Sequence, residues 1–332
     1  MTNHGNLYGP NFTFLGIERC DLDKQETFKD ADVVIVGAPI DSGTSHRSGA
    51  KFGPQAIRMG DYLPHDGERP HLALRTDGLK DLKVVDAGDL IMNGGDLVGS
   101  LKLLEAATEK ISKAGAIAVV LGGDHSIASA DVAGIANHRG KGKVSMIHFD
   151  AHADTGADQF GALVGHGTPM RRLIENGHVR GDRFLQLGLR GYWPDDATLN
   201  WMRDQGMRSY EMTEIHHRSL KTVLDESFSI LTDGCDGVFL SVDIDVVDPG
   251  MAPGTGTPEP GGMTSRELLE AVRRICLELP IVGIDVVEVA PPFDSADITA
   301  ILANRVVLEA LSAIALRKKG GTYSPTRNLL DR

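Results

Sequence analysis

The chain has 332 residues, 41% hydrophobic and 24% charged, and its 34 basic against 46 acidic side chains leave a net charge of −12. That composition belongs to an ordinary globular protein with ample core, and the acidic excess excludes nucleic acid, whose phosphates demand a basic patch, while suiting a small cationic substrate. No apolar run approaches the ~20 residues of a membrane span and the polar N-terminus lacks the pattern of a signal peptide, so a cytoplasmic enzyme with no membrane partner is expected.

Residues 1–30 read as a polar, irregular N-terminal arm, with 3–13 an ordered arm or a frayed end. The regular part starts with a buried β-run at 33–36. It ends in GAPIDSGTSHRSGAKFGPQAIR, a Gly-rich loop leading into a short helix near 54–59. The loop lacks the spacing of either common phosphate fingerprint and is read as a pocket wall. Its Asp41, His46 and Arg47 either line that wall or satisfy the loop's own backbone. From Leu82 onward strand runs near 83–86, 116–121, 144–149, 184–187, 207–210, 238–242 and 281–286 bring the total to about eight. Apolar residues at three- and four-residue spacing predict helices over 97–114, 168–176, 265–277 and 298–316. Such alternation predicts an α/β fold, a parallel sheet with helices on both faces. With no linker, repeat or low-complexity segment, residues 31–317 read as a single domain, followed by a basic, Gly-broken tail at 318–332 that is peripheral or an oligomer contact. Cys20, Cys235 and Cys276 are few and far apart, which predicts reduced, structural thiols.

The chemistry gathers where strands end. The run 119–121 leads into GGDHS, placing Asp124 and His125 after tight glycines. The run 144–149 leads into Asp150, His152 and Asp154, which alternate and so point one way if the chain stays extended. Asp243 and Asp245 close the run 238–242, and Glu288 follows 281–287. Parallel strands put all these ends along one edge of the sheet. Four carboxylates crowded there repel each other, and two divalent cations remove the conflict if at least two carboxylates bridge. Mixed carboxylate and imidazole donors suit manganese, nickel, cobalt or zinc over magnesium, and such a pair makes a hydroxide of a shared water.

Taken together, GGDHS, HFDAHADT, GHGTPM, SVDIDVVDPGMAPGTGTPEPGG and DVVEVAPPFD resemble the ureohydrolases, the arginase and agmatinase family, in motifs spread over roughly residues 31–317. The resemblance implies a three-layer α/β/α fold with an eight-stranded parallel sheet. It implies two divalent metal ions, manganese first and nickel second, and hydrolysis of a guanidino group to urea and an amine. One ion is assigned to His125, Asp150, Asp154 and Asp243, the other to His152, Asp150, Asp243 and Asp245, so that Asp150 and Asp243 bridge. His166 matches the family's proton-shuttling histidine and Glu288 the acid that grips the guanidinium, while Asp154 can relay the proton of the hydroxide. A homo-oligomer, trimer or hexamer, is implied as well, with a hetero-oligomer as the alternative.

The loop after the metal motif, TGADQFGALVGHG, lacks the Asn and Ser with which arginases hold the amino-acid head of their substrate. The segment PGTGTPEPGG and the tetrapeptide HGTP resemble instead the agmatinase, guanidinobutyrase and proclavaminate amidinohydrolase branch. Agmatine is placed first. Asp158 suits its free ammonium, Arg190 would suit the carboxylate of guanidinobutyrate, and Trp193 would hold an N-methylated guanidine or biguanide by cation–π contact; Gln159, Phe160 and Tyr192 are further candidates. Two readings come from other classes: a one-zinc deacetylase, which needs a single Asp, His, Asp set, and an inactive metal-bearing subunit.

Overall fold

A computed structural model describes residues 13–61 and 70–326. Eight strands form one all-parallel sheet: β1 Val33–Ala38, β2 Val84–Asp89, β3 Ile117–Gly122, β4 Val144–Phe149, β5 Phe184–Leu189, β6 Arg208–Glu211, β7 Gly237–Asp243 and β8 Ile281–Val287. Their order across the sheet is β2-β1-β3-β8-β7-β4-β5-β6. Every expected run is a strand, displaced by a few residues at its ends. The chain leaves β3 for β4 without pairing them, and the gap is later filled by β8 and β7. Leu121, Val286, Val242 and Phe149 thus lie side by side in register. The motifs after these four central strands share one edge of the sheet, at the crossover where open parallel sheets place their sites.

The helices are α1 Gly53–Met59, α2 Gly78–Asp81, α3 Leu97–Lys113, α4 Ala128–Arg139, α5 Pro169–Glu175, α6 Asp196–Asp204, α7 Met212–Arg218, α8 Leu220–Thr232, α9 Ser265–Glu278 and α10 Ile298–Lys318. The two-residue period of the strands divides the core between them. Val33, Ile35, Ile147, Phe149 and Leu240 face α8, α9 and α10, whereas Val34, Val36, Met146 and Phe239 face α3, α4 and α5. Both faces of the sheet are covered, which is why its inner strands read as largely apolar runs, whereas the edge strands β2 and β6 are more polar.

Three differences from the sequence reading have physical causes. α4 is buried nearly all round, so its sequence ASADVAGIANHR shows no polar face for periodicity to detect. α10, at 21 residues, is long and apolar enough to cross a membrane, contrary to the expectation of no such run, yet it is mostly buried against α9, α2 and α1 as a core helix. The end of the expected arm is packed: Phe14 is fully buried and its N–H donates to Asp86 Oδ2 at 2.7 Å. Most of 3–13 and all of 327–332 lie outside the described residues. The described part of the tail folds back, with the Tyr323 hydroxyl 2.9 Å from Arg273 Nη1. Cys20, Cys235 and Cys276 are free thiols.

Candidate metal centre

β3 ends at Gly122, and Gly123 passes so close to the β1 loop that a Cβ there would lie 1.9 Å from the Ile40 carbonyl oxygen. That turn drops His125 beneath the sheet edge, fully buried. Its Nε2 lies 2.9 Å from Ser241 Oγ, and Ser241 donates its own proton to Asp285 Oδ1 at 2.8 Å. Ser241 must therefore accept from Nε2–H, which leaves the ring's lone pair on Nδ1. Nδ1 has no hydrogen-bond partner and faces Asp150 Oδ2, Asp154 Oδ2 and Asp243 Oδ2 at 3.1, 3.2 and 3.2 Å. A lone pair ringed by three carboxylate oxygens is repulsive unless a cation sits among them, so the donor set fits a metal ion.

A second set opens toward solvent. His152 Nδ1 lies 3.1 Å from Asp245 Oδ2 and 3.5 Å from Asp150 Oδ1, and its side chain is 26% exposed. Asp150 thus divides its oxygens between the two sets, as a bridge does. Asp243 turns Oδ2 to His125 at 3.2 Å, while its Oδ1 accepts Asp245 N–H at 2.8 Å. Burial first, then the neighbouring Asp245 and Asp150, hold the Asp243 carboxyl well above the usual range. Asp245 is raised by burial and by Asp150. Like charges in a dry site are the conflict that a pair of cations relieves.

Asp150, His152 and Asp154 do not converge by strand alternation. β4 stops at Phe149, and Asp154 adopts a left-handed φ of 52°. A turn, not an extended chain, brings Asp154 back to the His125 side while His152 joins the other set. Glu288 is also left-handed, at φ 62°. Such backbone, rare away from Gly and Asn, is held where the surrounding structure imposes it.

Glu288 is 1% exposed. Its Oε1 accepts from His125 N–H at 2.8 Å and lies 2.9 Å from His166 Nδ1, while Oε2 is buried without a partner. Burial raises the Glu288 carboxyl and the His166 ring outweighs it, so the group is lowered. For His166 burial opposes the charge and Glu288 prevails, bringing the imidazole up to about 9. Both belong to the wall of a cavity of about 430 Å³ or stand directly behind it; Ser45, His152, Asp154, Asp158, His166 and Trp193 are among its lining. A larger groove of about 830 Å³ between α8, α9 and residues 320–325 holds no comparable group of ligand atoms among the described residues.

Several sequence candidates have other duties. Arg190 does not face the cavity: it donates to the carbonyl oxygens of Gly188, Asp245, Val246, Glu259 and Pro260. Asp41 accepts from Gly49 N–H and so serves its own loop's backbone, whereas Arg47 reaches across to the carbonyls of Thr255 and Gly256 and braces that distant segment against the loop. Gln159 and Phe160 line the cavity, Gln159 also tying Gly43 to Gly167, whereas Tyr192 stands free in solvent outside it. Two functional residues escape a reading of the sequence. His148 accepts from Gln186 on Nδ1 and donates from Nε2 to Asp150 Oδ2 at 2.8 Å, which aims that carboxylate; its position two before Asp150 is the available signal. Ser45 touches His166 Nε2 at 2.6 Å, and nothing in a Gly-rich loop marks it.

A buried, paired His and Asp centre at the carboxyl edge of a parallel α/β sheet fits a pair of divalent metal ions of the hydrolytic kind. Residues 31–313 match the family model described as Arginase family, and the chain belongs to that family. It is 38% identical over 286 residues to the guanidinobutyrase of Pseudomonas aeruginosa, covering 85% of this chain and 86% of that one. It is 38% identical over 304 residues to the agmatinase of Cronobacter sakazakii, covering 91% and 94%. The structure of proclavaminate amidino hydrolase from Streptomyces clavuligerus superposes with a TM-score of 0.82 at 34% identity, over 94% of this chain and 100% of that one.

Proposed function

We propose that this ureohydrolase cleaves a small cationic guanidine, agmatine first, to urea and an amine. The observation that carries the reading is Glu288 Oε2, a buried carboxylate oxygen without a partner beside the paired donor sets. A guanidinium presents a planar fork of N–H donors that meets a carboxylate well. Two divalent ions, manganese before nickel on the family resemblance, would supply a hydroxide near neutral pH and polarise the guanidine carbon. His125, Asp150, Asp154 and Asp243 would hold one, and His152, Asp150, Asp243 and Asp245 the other. Glu288 holds the guanidinium over the centre. Asp154 takes the proton of the attacking oxygen, and His166 supplies the proton that the departing nitrogen needs.

The distal end favours agmatine over a guanidino acid. Asp158 lines the cavity, whereas none of its described lining residues is Lys or Arg and Arg190 is engaged by backbone carbonyls. Trp193, 40% exposed at the rim, adds a face for an alkyl chain or an N-methyl group. The relatives named above act on both kinds of substrate by their names, so guanidinobutyrate remains the second reading, followed by compact guanidines or biguanides with nickel. A homo-oligomer is part of this proposal, checked by mass in solution. The test is urea release by the manganese- and nickel-loaded protein across agmatine, guanidinobutyrate, arginine and a biguanide. Highest kcat/KM on agmatine is expected; preference for the acid overturns the role given to Asp158, and no urea from any of them overturns the reaction.

A further inference from the structure

His166 is held at both ring nitrogens. Nδ1 lies 2.9 Å from Glu288 Oε1, and Nε2 lies 3.0 Å from the backbone nitrogen and 2.6 Å from the hydroxyl oxygen of Ser45. A backbone N–H only donates, so Nε2 meets it with a lone pair, and the neutral ring carries its proton on Nδ1 toward Glu288. Once the ring is charged, Nε2–H has the Ser45 hydroxyl oxygen to donate to. Ser45 therefore satisfies Nε2 in both protonation states, as a group that gains and loses a proton in every turnover requires.

The two sides of the ring lead to different places. Nδ1 faces a buried carboxylate, so a proton moved there stays inside the wall. Among the described residues both heteroatoms within hydrogen-bond reach of Nε2 belong to Ser45. His166 is 8% exposed, whereas Ser45 is exposed and lines the cavity. The loop that carries Ser45 is pinned: Gly43 N–H donates to Asp124 Oδ2 at 2.7 Å, and the Gly43 carbonyl accepts from His166 N–H at 2.9 Å and from Gln159 Nε2 at 2.8 Å.

From this geometry we infer that Ser45 relays the proton between His166 and the departing amine, a role that rests on the guanidine reading above. As the C–N bond breaks, its electron pair stays on the departing nitrogen, which takes the hydroxyl proton of Ser45. The hydroxyl takes the Nε2 proton of the imidazolium, leaving a neutral ring with Nδ1–H on Glu288. Water at the cavity mouth returns a proton to Nε2 through the same hydroxyl. Of the two protons the amine gains, one comes from the attacking water and the other from solvent by way of His166.

The experiment compares wild type, Ser45→Ala and Ser45→Thr as metal-loaded proteins, on the best alkylguanidine and on a guanidine whose leaving amine is much less basic. Ser45→Ala is expected to lose about 10- to 10³-fold in kcat on the alkylguanidine with KM and metal content kept, because a positioned proton donor is worth that much. Ser45→Thr, which keeps a hydroxyl, should recover most of the loss. The deficit of Ser45→Ala should shrink on the less basic leaving group. A kcat within about twofold of wild type, or an equal deficit on both substrates, overturns the relay. A second measurement needs no turnover: imidazole ¹⁵N spectra of histidine-labelled protein, with His166 assigned through His166→Gln. The neutral ring protonated on Nδ1 supports the relay, and one protonated on Nε2 overturns it. If wild type releases no urea from any guanidine, the reading of the site fails, and the spectra still decide the contact with Ser45.

Discussion

Between α9 and α10 the buried Arg273 donates to Glu309 and Glu270 and to the Tyr323 hydroxyl, and His71 closes on the same Glu309. At the carboxyl edge of the sheet, burial is as deep but the signs are not balanced. Asp150, Asp154, Asp243 and Asp245 face three imidazoles, those of His125, His148 and His152, and Glu288 keeps one oxygen unpartnered. The first cluster is complete as it stands and stabilises the packing of two helices. The second is complete only with cations from outside the chain. Buried charge is thus of two kinds, and what separates them is whether each group finds its opposite within the protein.

Removing the shared carboxylate is the severest way to break the second cluster. Asp150→Ala should lose both ions by elemental analysis and bring urea release to background, since each donor set loses an oxygen. Asp245→Ala should keep the ion of the buried set. Full metal in Asp150→Ala would show that the two sets do not share it. His166→Ala comes next: metal retained, kcat lower by roughly 10²- to 10⁴-fold, with partial rescue by added imidazole. Glu288→Gln keeps the size and one acceptor but not the charge, so kcat/KM should fall by about 10²- to 10³-fold with the ions in place. Lost metal in that variant would make Glu288 a ligand, and unchanged kinetics would make it structural.

The comparison sharpens in the metal-free protein. Asp243→Asn removes one of several crowded carboxylates, one that burial and Asp245 and Asp150 already burden, so its melting temperature without metal should equal or exceed that of wild type, while the stabilisation that manganese gives wild type is lost. A lower melting temperature without metal would mean that the carboxylates are balanced by the protein itself.

Much of this architecture is legible in the order of the residues. The inner strands can be read because a sheet covered on both faces makes them largely apolar runs, and the candidate ligands because acids and histidines follow those runs directly. What cannot be read lies in tautomers and turns. That His125 is fixed through Ser241 and Asp285 depends on β7 and β8 being neighbours, a fact of topology with no local signal. The alternation of Asp150, His152 and Asp154 suggests a shared direction for a reason that fails, since the strand ends at Phe149 and a left-handed Asp154 makes the turn. Ser45 stays hidden because a serine in a loop is usually just a turn residue.

The smallest expected effect concerns the balanced cluster, where only stability should change. Burial raises the Glu309 carboxyl, but His71 and Arg273 outweigh it, so in the folded protein the group lies below its ordinary value. A carboxylate lowered in this way contributes stability that is fully present above its unfolded value, near 4.5, and is lost as the pH falls through the lower folded value. Glu309→Gln cannot ionise and takes one of the two carboxylates from the buried Arg273, so it should cost about 1–3 kcal/mol at neutral pH. It should also flatten the acid limb of the stability curve, because the proton uptake on unfolding that this group contributes is gone. Metal content and kcat should stay at wild-type levels, since nothing in this cluster touches the cavity. Denaturant unfolding at neutral and acid pH, beside a urea assay, measures both halves. A loss of stability that is the same at every pH would show that the cluster matters for packing rather than charge, and a loss of activity would join the two clusters that the structure keeps apart.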